Sequence, residues 1–152
     1  MMPKHKYEMT YCNDSWDKGL ATINWDLAVN LFFKPGIGEA QARKAAKHLW
    51  NIADCRAFGH GQVKRQDKHI VRACFLERSA ENYHYHCAVQ LPTGYANAEL
   101  FCLGLQAHWE ALWQAGKHGR FEEIISAWAW CHYISKGERR HADTFCNVTS
   151  RF

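Results

Sequence analysis

The pattern of apolar and polar positions divides the chain into short blocks whose period changes. Trp25-Asp26-Leu27-Ala28-Val29-Asn30-Leu31-Phe32-Phe33-Lys34 is almost continuously apolar, as a mostly buried strand is, and Pro35-Gly36 stops it. From 38 to about 52 the period becomes helical. Ala42, Ala45, Ala46, Leu49 and Ile52 share one face, and an early Glu39 with later Lys and His residues suits the helix dipole. Phe58-Gly59-His60-Gly61 breaks this pattern. The polar, basic stretch 62–69 reads as a loop or hairpin, a solvated surface turn in preference to a DNA-contacting loop. Residues 70–77 form the next strand, 78–82 a turn and 83–91 a further strand closed by Pro92-Thr93-Gly94. The short connection makes these two strands an antiparallel hairpin.

A second helix is expected over 97–115, with Leu100, Leu103, Leu105, Trp109, Leu112 and Trp113 as its apolar content, and a break over 116–119. The stretch 121–134 fits a strand or a helix, with the helix favoured for its later part. Residues 137–152 are polar and then mixed, with a short closing strand. Residues 1–24 read as an N-terminal arm or edge element and 25–152 as one domain, with no internal repeat and no long linker. This order predicts an α+β fold, an antiparallel sheet covered by helices.

Composition narrows the class. Apolar residues make up 47% of the 152 and charged residues 22%, which is globular and not disordered. No apolar run approaches the roughly 18–20 residues of a membrane helix, and no apolar core follows the basic start. The expectation is therefore an intracellular protein without a membrane partner, cytoplasmic or, if it comes from a eukaryotic virus, nuclear. Seven cysteines at 12, 55, 74, 87, 102, 131 and 146 include no CxxC pair, so reduced thiols are expected instead of a zinc ribbon or redox motif. A formal charge of +4 permits a nucleic-acid partner. Seven Trp supply core and, at the surface, stacking platforms for unpaired bases.

The candidate chemistry lies in Glu77-Arg78-Ser79-Ala80-Glu81-Asn82-Tyr83-His84-Tyr85-His86-Cys87. Residues two apart in a strand point to one face, so His84 and His86 present two imidazoles side by side while Tyr85 and Cys87 point away. The hairpin brings Glu77 beside them. Two imidazole nitrogens and a carboxylate oxygen with open positions suit Mn²⁺, Mg²⁺ or Zn²⁺ as a Lewis acid. Gln90 and Glu81 remain alternative third ligands. In Trp130-Cys131-His132-Tyr133-Ile134-Ser135-Lys136, a helical reading puts Tyr133 and Lys136 on one side. A phenol becomes a useful nucleophile when its target is polarised and a cation stands nearby.

In order along the chain, Phe33-Lys34-Pro35, Glu77 with His84-Tyr85-His86, and Tyr133-Ile134-Ser135-Lys136 resemble the three motifs of HUH endonucleases of the rolling-circle replication initiator (Rep) type. The second motif of that family is His-hydrophobic-His with an upstream carboxylate, here seven residues ahead of His84, and the third is Tyr-x-x-Lys. One tyrosine in the third motif resembles the single-tyrosine branch. The resemblance implies a ferredoxin-like or RRM-like sheet of about five strands. It makes Glu77, His84 and His86 ligands of Mg²⁺ or Mn²⁺, Tyr133 the nucleophile and Lys136 a helper at the phosphate or metal-bound water. Tyr83 and Tyr85 are rival nucleophiles, Tyr85 the weaker because it faces away.

The implied activity is site-specific nicking and joining of single-stranded or hairpin DNA through a 5′-phosphotyrosine, initiating rolling-circle replication of a plasmid, phage or virus. With no G-x-x-x-x-G-K-[ST] sequence, a separate helicase would be borrowed. Three other readings fit the same residues. One is a small HUH transposase. Another is a non-catalytic single-strand-binding module using the 64–68 loop and exposed aromatic rings. The third is a zinc hydrolase with activated water.

Overall fold

The computed structural model describes residues 20, 22–79, 82–117, 119–136, 145–146 and 149–152. The expected arm, residues 1–24, lies outside them except for 20 and 22–24. The elements run β1 (Leu27–Phe32), α1 (Glu39–Phe58), α2 (His60–Gln66), β2 (Arg72–Ser79), β3 (Asn82–Val89), α3 (Ala98–Glu110), β4 (Arg120–Glu123) and α4 (Ala127–Ile134). The strands form one antiparallel sheet in the order β2-β3-β1-β4. With helical crossovers after β1 and after β3, this is the β-α-β-β-α-β ferredoxin-like arrangement. No helix among the described residues is long and apolar enough to cross a membrane.

Strand alternation sorts the core into two layers. Leu27, Val29, Leu31, Cys74, Leu76, Tyr85, Cys87 and Val89 face α1 and α3. Ala28, Ala73, Phe75 and Ala88 face the other way and pack under Trp130, Cys131 and Ile134 of α4. β1 is buried on both sides because it is an inner strand, and this explains its nearly unbroken apolar run.

Several expected elements differ in extent. α1 continues to Phe58 instead of stopping near 52 and ends at Gly59, whose φ of 84° suits a residue without Cβ. Asp54, a poor helix former, is retained inside α1 by bonds to the chain beyond it. The stretch 62–69 is not a loop or hairpin for most of its length. Its good helix formers Gln62, Lys64, Arg65 and Gln66 make up much of α2, which stops at Asp67 with φ 52°. α3 closes at Glu110, and the chain then turns so that Ala115 pairs with Phe33. The ambiguous 121–134 stretch is both things, β4 and then α4.

Four strands are present among the described residues, not five. The described C-terminal residues make isolated bridges to the outer edge of β2, Phe75 to Phe145 and Arg72 to Arg151. They still occupy edge groups: Cys146 N–H donates to the Cys74 carbonyl at 2.8 Å and Arg72 N–H to the Arg151 carbonyl at 2.7 Å.

A buried polar knot ties these parts together. Asp54, 1% exposed, accepts from the Ile70 amide and from Arg72 Nη1, each at 2.8 Å, and from His69 Nδ1 at 2.9 Å. Arg72 also donates to the Thr149 carbonyl at 2.7 Å and lies over the Trp50 ring. Removing one partner strands a buried charge, a loss of about 3–5 kcal/mol. Asp54→Ala should therefore lose about that much in urea unfolding, and a loss below about 1 kcal/mol would show that the knot is not a structural pin.

Candidate metal centre

Strand pairing builds the site. Glu77 is the direct cross-strand partner of His84, and His86 stands between Phe75 on one side and Asn30 on the other. Glu77 Oε2 lies 3.3 Å from His84 Nε2 and 2.9 Å from His86 Nε2. One ligand atom from each of the three residues falls within 4.8 Å of the others, so the group can hold a metal ion. His84 is braced by a stacked Phe32 ring at 5.6 Å and meets His86 edge-on at 4.7 Å.

The protonation pattern favours ligation. His86 Nδ1 is 2.8 Å from Asn30 Oδ1, and an amide oxygen only accepts, so Nδ1 carries the proton. Nε2 is then the lone-pair nitrogen. It is buried and, although close to Glu77, makes no hydrogen bond of proper geometry. An imidazole fixed by its far nitrogen, with the near one unsatisfied, is the arrangement of a metal-ligating histidine. A two-nitrogen, one-carboxylate set fits a borderline to hard divalent ion with open positions.

Electrostatics agree with this donor set. Burial works to raise the pKa of Glu77, but hydrogen bonding to His84 and the charge of Lys136 hold it well below the ordinary carboxylate range. Burial lowers the pKa of His86, helped by His84 and Lys136 and opposed by Glu77, which keeps the ring neutral and able to donate. Lys136 Nζ, 3.3 Å from Glu77 Oε2, supplies a counter-charge.

α4 and the turn after it bring in Tyr133 and Lys136. Ser126 caps it by accepting from the Ala129 amide, and Trp130 pins it to the sheet by donating Nε1–H to the Cys87 carbonyl at 2.9 Å. Tyr133, three residues on, is 46% exposed, with its ring 5.2 Å from His86 and 5.6 Å from Trp130. Lys136 Nζ is 3.7 Å from the centre of that ring. All five residues singled out in the sequence, Glu77, His84, His86, Tyr133 and Lys136, thus converge on one face.

The alternatives do not. Tyr85 lies on the opposite face, fully buried against Cys146 at 3.3 Å, and burial drives its phenol pKa far upward. Tyr83 packs on that same far side. Gln90 bonds the Asn24 carbonyl at the other end of β3, and Glu81 lies outside the described residues.

Two site residues escaped the sequence reading. Asn30 was visible only as the single polar residue in Leu-Ala-Val-Asn-Leu-Phe. Arg120 pairs with Asn30 across β1 and β4, which puts it on the His86 face about 10 Å away, two strand spacings. It borders an open groove of about 450 Å³ that runs beside α4, past Glu122 and Trp130, to Asn30 and Tyr133.

Asn30→Leu should weaken Mn²⁺ binding by about 10–100-fold, and Asn30→Asp should restore it, since a carboxylate also accepts from Nδ1–H. Equal affinities in a calorimetric titration of all three proteins would remove Asn30 from the site. In the metal-free protein, the stability contributed by Glu77 is complete above the unfolded carboxylate pKa of about 4.3 and is lost as pH falls through the lower folded value. His86, also depressed, loses its share from about 6.5 downward. Melting temperatures in chelator should therefore fall on acidification, and Glu77→Gln should flatten the part below about pH 4.5. An unchanged acid slope would show that Glu77 contributes nothing there.

The chain matches no family model, no curated protein and no solved structure.

Proposed function

We propose that this chain is a metal-dependent endonuclease of the HUH, single-tyrosine Rep type, which nicks and joins single-stranded or hairpin DNA through Tyr133. The observation that carries this reading is the placement of Tyr133. Its ring stands 5.2 Å from that of His86, with Lys136 on its face and Glu77 bridging His86 and Lys136. A nucleophile, a cation and a three-ligand metal group share one partly exposed surface.

Glu77, His84 and His86 would hold Mg²⁺ or Mn²⁺, which when bound supplies Lewis-acid polarisation of the scissile phosphate. Tyr133 Oη attacks the phosphorus. The bond to the 3′-oxygen breaks, the phenol loses its proton and the departing 3′-oxygen gains one. The products are a 5′-phosphotyrosine and a free 3′-hydroxyl, and the reverse attack rejoins the strands. Lys136 stabilises charge on the phosphate or phenolate. The groove past Trp130 and Arg120 offers the strand an aromatic and cationic path to Tyr133. Initiation of rolling-circle replication of a plasmid, phage or virus, with a separate helicase, is the role this activity fits, and a small transposase would use the same steps.

The test is a covalent-adduct assay. The protein is incubated with pooled single-stranded and hairpin oligonucleotides and Mn²⁺, denatured, and mapped by mass spectrometry. An adduct on Tyr133 is expected, lost in Tyr133→Phe, in His84→Ala and His86→Ala, and in chelator. Cleavage without an adduct would turn the reading to activated-water hydrolysis, and binding without cleavage to a binding module.

A further inference from the structure

The two edges of the sheet differ. The outer edge of β2 is occupied: Cys146 N–H donates to the Cys74 carbonyl, and Arg72 and Arg151 exchange backbone bonds. The outer edge of β4 has no such cover. Ile124 N–H donates to the Asp26 carbonyl at 2.8 Å, and bonds along an antiparallel ladder alternate, so Glu122 and Arg120 turn their amides and carbonyls toward β1. Phe121 and Glu123 turn theirs outward, where no described residue bonds them. Unpaired groups of this kind are a template for another strand.

Charges on an edge commonly repel a second strand, but those on β4 are self-complementary. Arg120 and Glu122 flank Phe121 on one face, 3.3 Å apart, and both side chains are about half exposed. Two copies related by a two-fold axis pair their strands antiparallel, and the register decides which residues meet. Centred on Phe121, each copy exchanges backbone bonds with the other at that residue. Arg120 of each copy then stands opposite Glu122 of the other, in the pairs where side chains approach most closely. Every other centre within the strand opposes like charges: Arg120 to Arg120, Glu122 to Glu122, or Glu123 to Glu123. Apolar area adjoins the same edge, because Ile125, two residues past the strand, is fully exposed.

We propose that β4 is a self-association edge, on which two copies of this chain pair antiparallel about Phe121 and join two four-stranded sheets into one of eight strands. The axis of such a pairing is perpendicular to the sheet, so each face continues into the same face of the second copy. Both Glu77–His84–His86 clusters then lie on one side of the joined sheet. Arg120 and Glu122, which line the groove leading to Tyr133, stand at the join. The pairing strands are four residues long, so the dimer is weak and concentration-dependent. Such a dimer forms whether or not Tyr133 nicks DNA.

The test is sedimentation velocity of the full chain over a concentration series. Wild type should pass from monomer to dimer as concentration rises. Arg120→Glu sets acid against acid across the axis, and Glu122→Arg sets base against base. Each alone should weaken the dimer by about tenfold or more, since two attractive cross-strand pairs become repulsive. Mixing the two variants should restore association, as a heterodimer in which each Arg again faces a Glu; a variant that had merely lost its fold is not repaired by mixing. Glu123→Pro removes an outward amide at an exposed position and leaves the β1 bonds in place, and it should also give monomer. Wild type that stays monomeric at every concentration would overturn the proposal. So would a dimer that survives Glu123→Pro, or charge variants, folded by circular dichroism, that do not associate when mixed.

Discussion

The pairing register of β2, β3 and β1 is the constraint on which the rest depends. It sets Phe75, His86, Asn30 and Arg120 in one row across the sheet and Glu77, His84 and Phe32 in the next. A slip of one residue would turn each affected side chain to the opposite face. The slip is opposed by the other half of the same alternation. Leu27, Val29, Leu31, Tyr85, Cys87 and Val89 are packed under α1 and α3, and a slip would send them outward. The polar site is thus held in place by the apolar layer behind it.

That layer makes a buried polar cluster tolerable on the other face. His86 is 2% exposed, and a polar group so placed is costly unless it is bonded. Asn30 satisfies one nitrogen, and the second is left beside Glu77 with a free lone pair. The His84 imidazole and the Lys136 ammonium beside the carboxylate keep it ionised despite burial. The cluster is therefore arranged as a set of donors, which is what preorganisation of a metal site requires.

α4 extends the site by one further contact. Trp130 reaches into the second core layer and bonds the Cys87 carbonyl on β3, one residue beyond His86. Tyr133 and Lys136 follow at helical spacing and so arrive over the imidazoles. The polar cluster and α1 lie on opposite sides of the sheet, separated by the core.

Much of this was readable in one dimension because it is local. The His84–His86 pair follows from a period of two, Glu77 from a short hairpin, and Tyr133 with Lys136 from a helical turn. The α+β class followed from the same short-range patterns. α2 was misread because Gly59 and Gly61 suggest a loop, whereas only Gly59 takes a backbone conformation that ends a helix. α1 runs past 52 through Asp54, a poor helix former whose compensation, Arg72, lies eighteen residues away. Asn30 and Arg120 could not be assigned at all. Their relation to His86 passes through β1–β3 and β1–β4 pairings between segments far apart in sequence. The sequence by itself determined the ligand types, their common face and the order of the motifs, since those depend on neighbours a few residues apart. Only the tertiary structure decided that they meet, which second-layer residue orients them and which face of the sheet they share, because long-range strand pairing and two-sided burial set those relations.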